Sequence, residues 1–166
     1  GLDQFWQARQ WGELIKLSSE EREKVLPAIL AWADGGEGLS GVAALQGFQQ
    51  TMAMRRATEA VFDKVDAVIS PSTPIAFPAE WPSPSNDPRQ PFEHIAYTVP
   101  WNMGEQPAIS LNAGFSSPET SPALAANMPI GVQLIGPRFD DHFVLKLAHQ
   151  LETRLALPLR WPMLPA

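Results

Sequence analysis

Eight prolines fall between Pro71 and Pro100, and they constrain what the chain can become more than any other feature. Proline has no backbone N–H to donate, and its ring clashes with the preceding helical turn. Neither a sheet nor a long helix can therefore run through that stretch. At most one short helix fits, opened by Pro91 at its first turn, with Phe92, Ile95 and Val99 on one face at i, i+3 and i+7. The chain is thereby divided, with 1–65 reading as mainly helical and 66–166 as strands, the proline-rich loop and a final helix. Both parts fit within a single segment of one domain. The 17 prolines in 166 residues are clustered, which marks long ordered loops rather than a disordered chain.

In the helical third, Leu2, Phe5, Trp6, Leu14 and Ile15 fit one stripe, weakened by Gly12. The run "SSEE" offers a capping box, Ser18 with Glu21, ahead of Val25, Leu26, Ile29 and Leu30. Pro27 inside that pattern should kink or restart the helix. After "DGGEGLSG" a long helix is expected from about 41 to 65, with an apolar face of Leu45, Phe48, Met52, Phe62 and Val65. Arg55 and Glu59 within it have the i,i+4 spacing of an ordinary surface ion pair.

Beyond the helices, Ala67 to Ser70 reads as a short buried strand and "PAISLN", 107 to 112, as a second. The third, Pro129 to Gly136, lies in "NMPIGVQLIGPRFDD", where Ile130, Val132 and Leu134 alternate with Gly131 and Gln133. Gly131 lets another backbone or side chain come close. Gln133 has two readings: turned inward, with hydrogen-bond partners supplied by a part of the protein outside this chain, or one of an edge-facing polar row. A final helix is capped by Asp140 or Asp141 and turns Val144, Leu147, Ala148, Leu151 and Leu155 inward. The order of elements is that of an α/β fold, part of a mixed sandwich.

Charge narrows the function. A net charge of −6 opposes nucleic acid or an anionic membrane as the main partner. Without cysteine there is no disulfide and no thiolate chemistry, which leaves the redox compartment open and slightly favours an intracellular, cytoplasmic reading. No apolar run is long enough to span a bilayer. The start, "GLDQFWQARQ", lacks signal-peptide features and an initiator Met, so a processed, tagged or excised chain is expected.

Motifs for chemistry are sparse. "GEGLSG" matches G-x-G-x-x-G but follows a helical pattern, so it reads as an inter-helix loop with Ser40 as a cap. His94, His142 and His149 lack metal-ligand spacing and read as surface residues. No G-x-S-x-G elbow exists, and the pairs Ser18-Ser19 and Ser116-Ser117 are explained by a cap or a turn. Lys16, Lys24, Lys64 and Lys146 all read as solvated helix positions. No catalytic residue and no metal ligand is assigned.

Taken together, "DAVISPSTP", "TVPWNMGEQPAISL", "MPIGVQLIGPRFDD" and the helix ending "AHQLE" resemble, in order and spacing, the C-terminal part of the amidase signature family. The resemblance covers residue 20 to about 155. Members often have proline where Asn112 stands, which leaves the local turn before Gly114 open. The resemblance implies an α/β/α sandwich on a mixed sheet. It also implies hydrolysis of a carboxylic amide without metal or organic cofactor. A serine attacks, a second serine in a cis peptide relays its proton, and a lysine is the base. The family's Gly-Ser-Ser-Gly loop lies upstream of the matched region and has no counterpart in these 166 residues. The chain is therefore expected to be inactive alone, supplying scaffold and part of an acyl pocket to an N-terminal half.

By the same resemblance the segment after Pro91 lines the acyl pocket, which makes Phe92, Ile95, Val99 and Trp101 the candidate substrate-binding residues. Members that recognise the glutamine side chain of charged tRNA carry an acid at the position of Ile95. An apolar side chain there implies an apolar or aromatic acyl group instead. The expected partners are a small-molecule amide and the N-terminal half, with no nucleic acid or membrane. A truncated sheet further implies exposed apolar surface and self-association. The rival reading is a non-catalytic binding or interaction module that kept this scaffold.

Overall fold

The computed structural model describes residues 1–74, 92–117, 119 and 128–157. Pro91, the expected opening of the short helix, lies outside them. The helical part begins with α1 (Leu2–Leu14), α2 (Ser19–Glu23) and α3 (Pro27–Ala33). The capping box at α2 is complete: Ser18 Oγ accepts the Glu21 N–H at 3.3 Å, and the Glu21 carboxylate accepts the Ser18 N–H at 2.8 Å. Those bonds from the Ser18 backbone and then its hydroxyl hold the Glu21 carboxyl below the usual glutamate range. Pro27 restarts the chain as the first residue of α3, where its missing N–H costs nothing. "GEGLSG" is an inter-helix connection after a 3-10 turn, and Ser40 Oγ accepts the Ala43 N–H at 3.1 Å to cap α4 (Gly41–Glu59).

Helix α4 buries a different face from the one its large side chains suggest. The buried residues are Gly47, Thr51 and Thr58, while Leu45 and Phe48 are 57% and 44% exposed. Val65 beyond the helix is exposed as well. Small residues win this face because neighbouring backbones come too close for large ones. A Cβ on Gly47 would run into the Gly1 carbonyl and Phe5 of α1. Burial leaves no unmet donor, since the hydroxyls of Thr51 and Thr58 bond back to the Phe48 and Arg55 carbonyls at 2.6 and 3.0 Å.

The segment after Pro91 is two elements, not one helix: a 3-10 turn at Glu93–Ile95 and α5 (Val99–Gly104). Pro100 explains the split, because it cannot donate to the Ala96 carbonyl and its ring would press on it. At the far end of α5 the space beside Gly104 is filled by Gln106 and Thr58 of α4. The buried Gln106 amide nitrogen faces Thr58 Oγ1 at 3.2 Å and the Trp101 and Gly104 carbonyls at 3.3 Å, an orientation assigned from that network. Glu105, in the left-handed conformation with φ 60°, takes both Arg55 nitrogens at 3.1 and 2.8 Å. Arg138 joins it at 2.6 Å and also meets Glu59 at 3.5 Å. The expected Arg55–Glu59 surface pair is thus replaced by pairs that tie α4 to α5 and to the turn before α6.

Among the described residues three strands form one antiparallel sheet in the order β1 (Val68–Pro71), β3 (Pro129–Ile135), β2 (Ala108–Phe115). Asn112 marks a bulge in β2. Its Oδ1 accepts the Gly114 N–H at 3.0 Å, and Gly114 has φ 153°, an angle open mainly to glycine. Helix α6 (Asp141–Leu155) lies over β2 and β3, capped by Asp140, whose carboxylate accepts the Phe143 N–H at 3.3 Å. Val144 and Ala148 are buried, and with Leu14, Ala33, Leu134 and Ile135 they make the core. Leu155, expected inward, is 37% exposed in the last turn, two turns past Ala148.

Val42 and Leu45 of α4 form an exposed apolar stripe, at 66% and 57%. Replacing both, Val42→Lys with Leu45→Glu, should lower apolar-dye binding and concentration-dependent association while changing stability by within about 1 kcal/mol. Sedimentation velocity and dye fluorescence read this out. Unchanged association would assign the sticky surface elsewhere.

Candidate functional site

Strand register places Ser70, Gln133 and Ser110 in one row across β1, β3 and β2. Directly opposed residues of paired strands point to the same face, so the three polar side chains share one side of the sheet. Gln133 is only 3% exposed, and its Nε2 donates to Ser70 Oγ at 2.8 Å, the Tyr97 carbonyl at 2.7 Å and the Pro71 carbonyl at 3.2 Å. That geometry supports the inward reading of this residue over the edge-facing one, and it changes where the partners come from. It points inward, and this chain supplies the partners of its donor. They come from β1 and from the turn ahead of α5, so one amide pins that turn to the sheet.

Just past β1, the Ser72 N–H donates to the Gly131 carbonyl at 2.9 Å and extends the pairing by a residue. Above Gly131 the hydroxyls of Ser72 and Ser110 meet at 2.6 Å. The strands that carry them flank β3 and stand roughly 9.5 Å apart, twice the inter-strand spacing. Their side chains can touch only if nothing rises between them. A Cβ on Gly131 would lie 2.8 Å from Ser72 Oγ and 3.2 Å from Ser110 Oγ. The glycine is therefore the condition for the serine pair.

Between this sheet face and α5 lies a cavity of about 220 Å³. Ser72, Ser110, Gln133 and Ile109 line it from the sheet, and Thr98, Trp101 and Asn102 from the α5 side. Thr98 and Asn102 are tied locally: Thr98 Oγ1 donates to the Ile95 carbonyl at 3.1 Å, and Asn102 Nδ2 to the Thr98 carbonyl at 3.0 Å. The Trp101 indole packs against Phe62 with ring centres 6.2 Å apart. Among the described residues no ionisable side chain lines the cavity.

Of the four residues singled out from the sequence, Trp101 lies in this wall. Ile95 and Val99 are half-buried beside it in the chain, one ending the 3-10 turn and the other opening α5. Phe92 sits apart, edge-on to Trp6 at 4.7 Å and Trp32 at 5.2 Å, in a second cleft with Arg9 and Glu13. The split at Pro100 is why Phe92, Ile95 and Val99 share no helical face. Ser72, Ser110, Thr98 and Asn102 were not singled out. The signal for the serines is present as polar positions at period two in otherwise apolar strands. Only the register reveals that they face one another.

Two substitutions test this construction. Gln133→Leu should destabilise the chain by about 1–3 kcal/mol in urea titration, because three oxygens lose their shared donor. Gly131→Ala should cost about 1–3 kcal/mol by forcing the serines apart. The double variant Gly131→Ala with Ser72→Gly should recover part of that loss, and no recovery would place the strain elsewhere.

Residues 16–145 match the family model described as Amidase. Among curated proteins, the chain is 35% identical over 102 residues to a glutamyl-tRNA(Gln) amidotransferase subunit from Sulfurihydrogenibium sp. (strain YO3AOP1), covering 61% of this chain and 19% of that protein. Among solved structures, 6-aminohexanoate cyclic dimer hydrolase superposes with a TM-score of 0.64 at 24% identity, over 93% of this chain and 33% of that one. A bacterial aryl acylamidase of the amidase signature family superposes with a TM-score of 0.65 at 22% identity, over 90% of this chain and 31% of that one. At those identities the two structures establish a shared fold. The chain spans about a fifth of the length of the curated relatives it matches.

Proposed function

The chain belongs to the amidase signature family, and on that premise we propose that it is the C-terminal portion of an amidase. The reaction is hydrolysis of a carboxylic amide to the acid and ammonia or an amine. The observation that carries this reading is that the matched span, 16–145, runs through every element that builds the cavity: β1, α5, β2 and β3. In this reading the chain contributes scaffold and one wall of the acyl pocket. The attacking serine, its relay serine and the lysine base belong to an N-terminal half with a Gly-Ser-Ser-Gly loop. The chain's own groups bind and orient the substrate. The pinned turn at Tyr97 and the α5 wall hold the acyl group, which is how positioned binding surfaces lower the barrier to attack.

Phe92, Ile95, Val99 and Trp101 remain the proposed acyl-side contacts, with Trp101 supported by its place in the cavity wall. Ile95, where tRNA-dependent members carry an acid by the resemblance, favours an apolar or aromatic acyl group over the substrate in the name of the matched amidotransferase. Among the described residues no helix is long and apolar enough to cross a membrane.

Ammonia or amine release from a panel of aliphatic and aryl amides tests the proposal, comparing a longer protein that carries this segment behind its catalytic half with the 166-residue chain. The longer form should turn over amides and the isolated chain should release none. Hydrolysis by the isolated chain, or an inert longer form, overturns it.

A further inference from the structure

The hydrogen-bonding capacity around the cavity is unevenly used. Gln133 Nε2 already serves three oxygens, Thr98 Oγ1 is spent on the Ile95 carbonyl, and Gln106 is engaged with Thr58 and two carbonyls. The serine pair is different. One hydroxyl donates to the other across 2.6 Å, so the accepting hydroxyl keeps its own proton and the donating oxygen keeps its lone pairs. Nearby, Asn102 commits its nitrogen to the Thr98 carbonyl, while its oxygen has no partner among the described residues. The unused groups thus offer a donor and acceptors together.

We infer that the Ser72–Ser110 hydroxyl pair is a subsite for the neutral, hydrogen-bonding end of a flat group packed against Trp101. The inference rests on the reading of this cavity as part of an amide-binding pocket, and it names the class of ligand. Neutrality follows from the wall, where no side chain among the described residues is ionisable. A carboxylate or ammonium entering it would shed water without meeting a counter-charge, which is costly. Trp101, the aromatic member of the wall among the described residues, gives a ring its apolar partner. The pair can both give and take a proton in hydrogen bonds, so it complements a carboxamide, which carries both functions on one end. Gly131 keeps the pair in place by leaving the middle strand bare beneath it.

Benzamide and benzoate, equal in shape and different in charge, are the probes. The 166-residue chain is labelled with ¹⁵N and its tryptophan indole signals are followed during titration, with Trp101 identified through Trp101→Phe. Benzamide should shift the Trp101 signal saturably, and benzoate at the same concentration should not. Ser110→Ala should weaken benzamide binding roughly three- to tenfold, the loss of one neutral hydrogen bond, with the other indole signals in place. Equal binding of benzoate, a silent Trp101, or unchanged affinity in Ser110→Ala each overturns the inference. If Ser110→Ala does not fold, the benzamide–benzoate comparison on the unaltered chain still decides it. The two proposals fail separately. Amide hydrolysis by the longer protein with a silent Trp101 removes the subsite and leaves the activity. Selective benzamide binding with an inert longer protein removes the activity and leaves the subsite.

Discussion

From a position almost wholly out of water, Gln133 donates through one nitrogen to oxygens of Ser70, Pro71 and Tyr97. An amide placed there must find partners, since a buried donor without them costs about 1–3 kcal/mol. Meeting that demand draws the turn before α5 down onto the sheet. The position of Trp101 follows, because α5 begins two residues after Tyr97. Its far end is set by a second demand, the close approach of α4 and α5 that Gly104 and Thr58 permit. With both ends held, the cavity between α5 and the sheet has a defined wall.

Glycine at 131 and glutamine at 133 act on the same face in opposite ways. Gln133 fills the middle of the sheet face and binds the surrounding oxygens. Gly131 empties the next row and lets the serines of two non-adjacent strands meet over it. A strand of the same apolar character with alanine and valine at those positions would keep the pattern of a strand but would crowd Ser72 and Ser110. It would carry neither the pinned turn nor the serine pair. The local sequence of β3 thus specifies a site as well as a strand, and membership of the amidase family gives that site a chemical context.

The ion pairs show how burial changes an expected contact. Arg138 has a side chain only 15% exposed and lies against both Glu105 and Glu59. Glu105 is about half-exposed, so solvent screens much of the attraction. What the cluster adds is direction: it fixes the turn between β3 and α6 against α4 and α5. The apolar residues left outside, Val42, Leu45 and Ile69 among them, show that the described elements do not close over all of their own hydrophobic surface.

Features set by neighbours in the chain were legible from the residues alone. They include the Ser18–Glu21 capping box, the restart at Pro27, the Ser40 and Asp140 caps, and the three strands to within a few residues. The caps and the restart depend on interactions spanning four residues or fewer, and the strands show in the residue pattern along each one, so the sequence by itself determined where these elements lie. The motif set also carried the family, and with it the fold. The buried face of α4, the partners of Gln133 and Arg55, and the meeting of Ser72 with Ser110 were decided by the tertiary structure. Periodicity marks where side chains point along one element, but not how closely the next element approaches. At Gly47 and Gly104 that distance favoured small residues over large ones. At Gly131 it joined residues 38 positions apart through a register that no single strand contains.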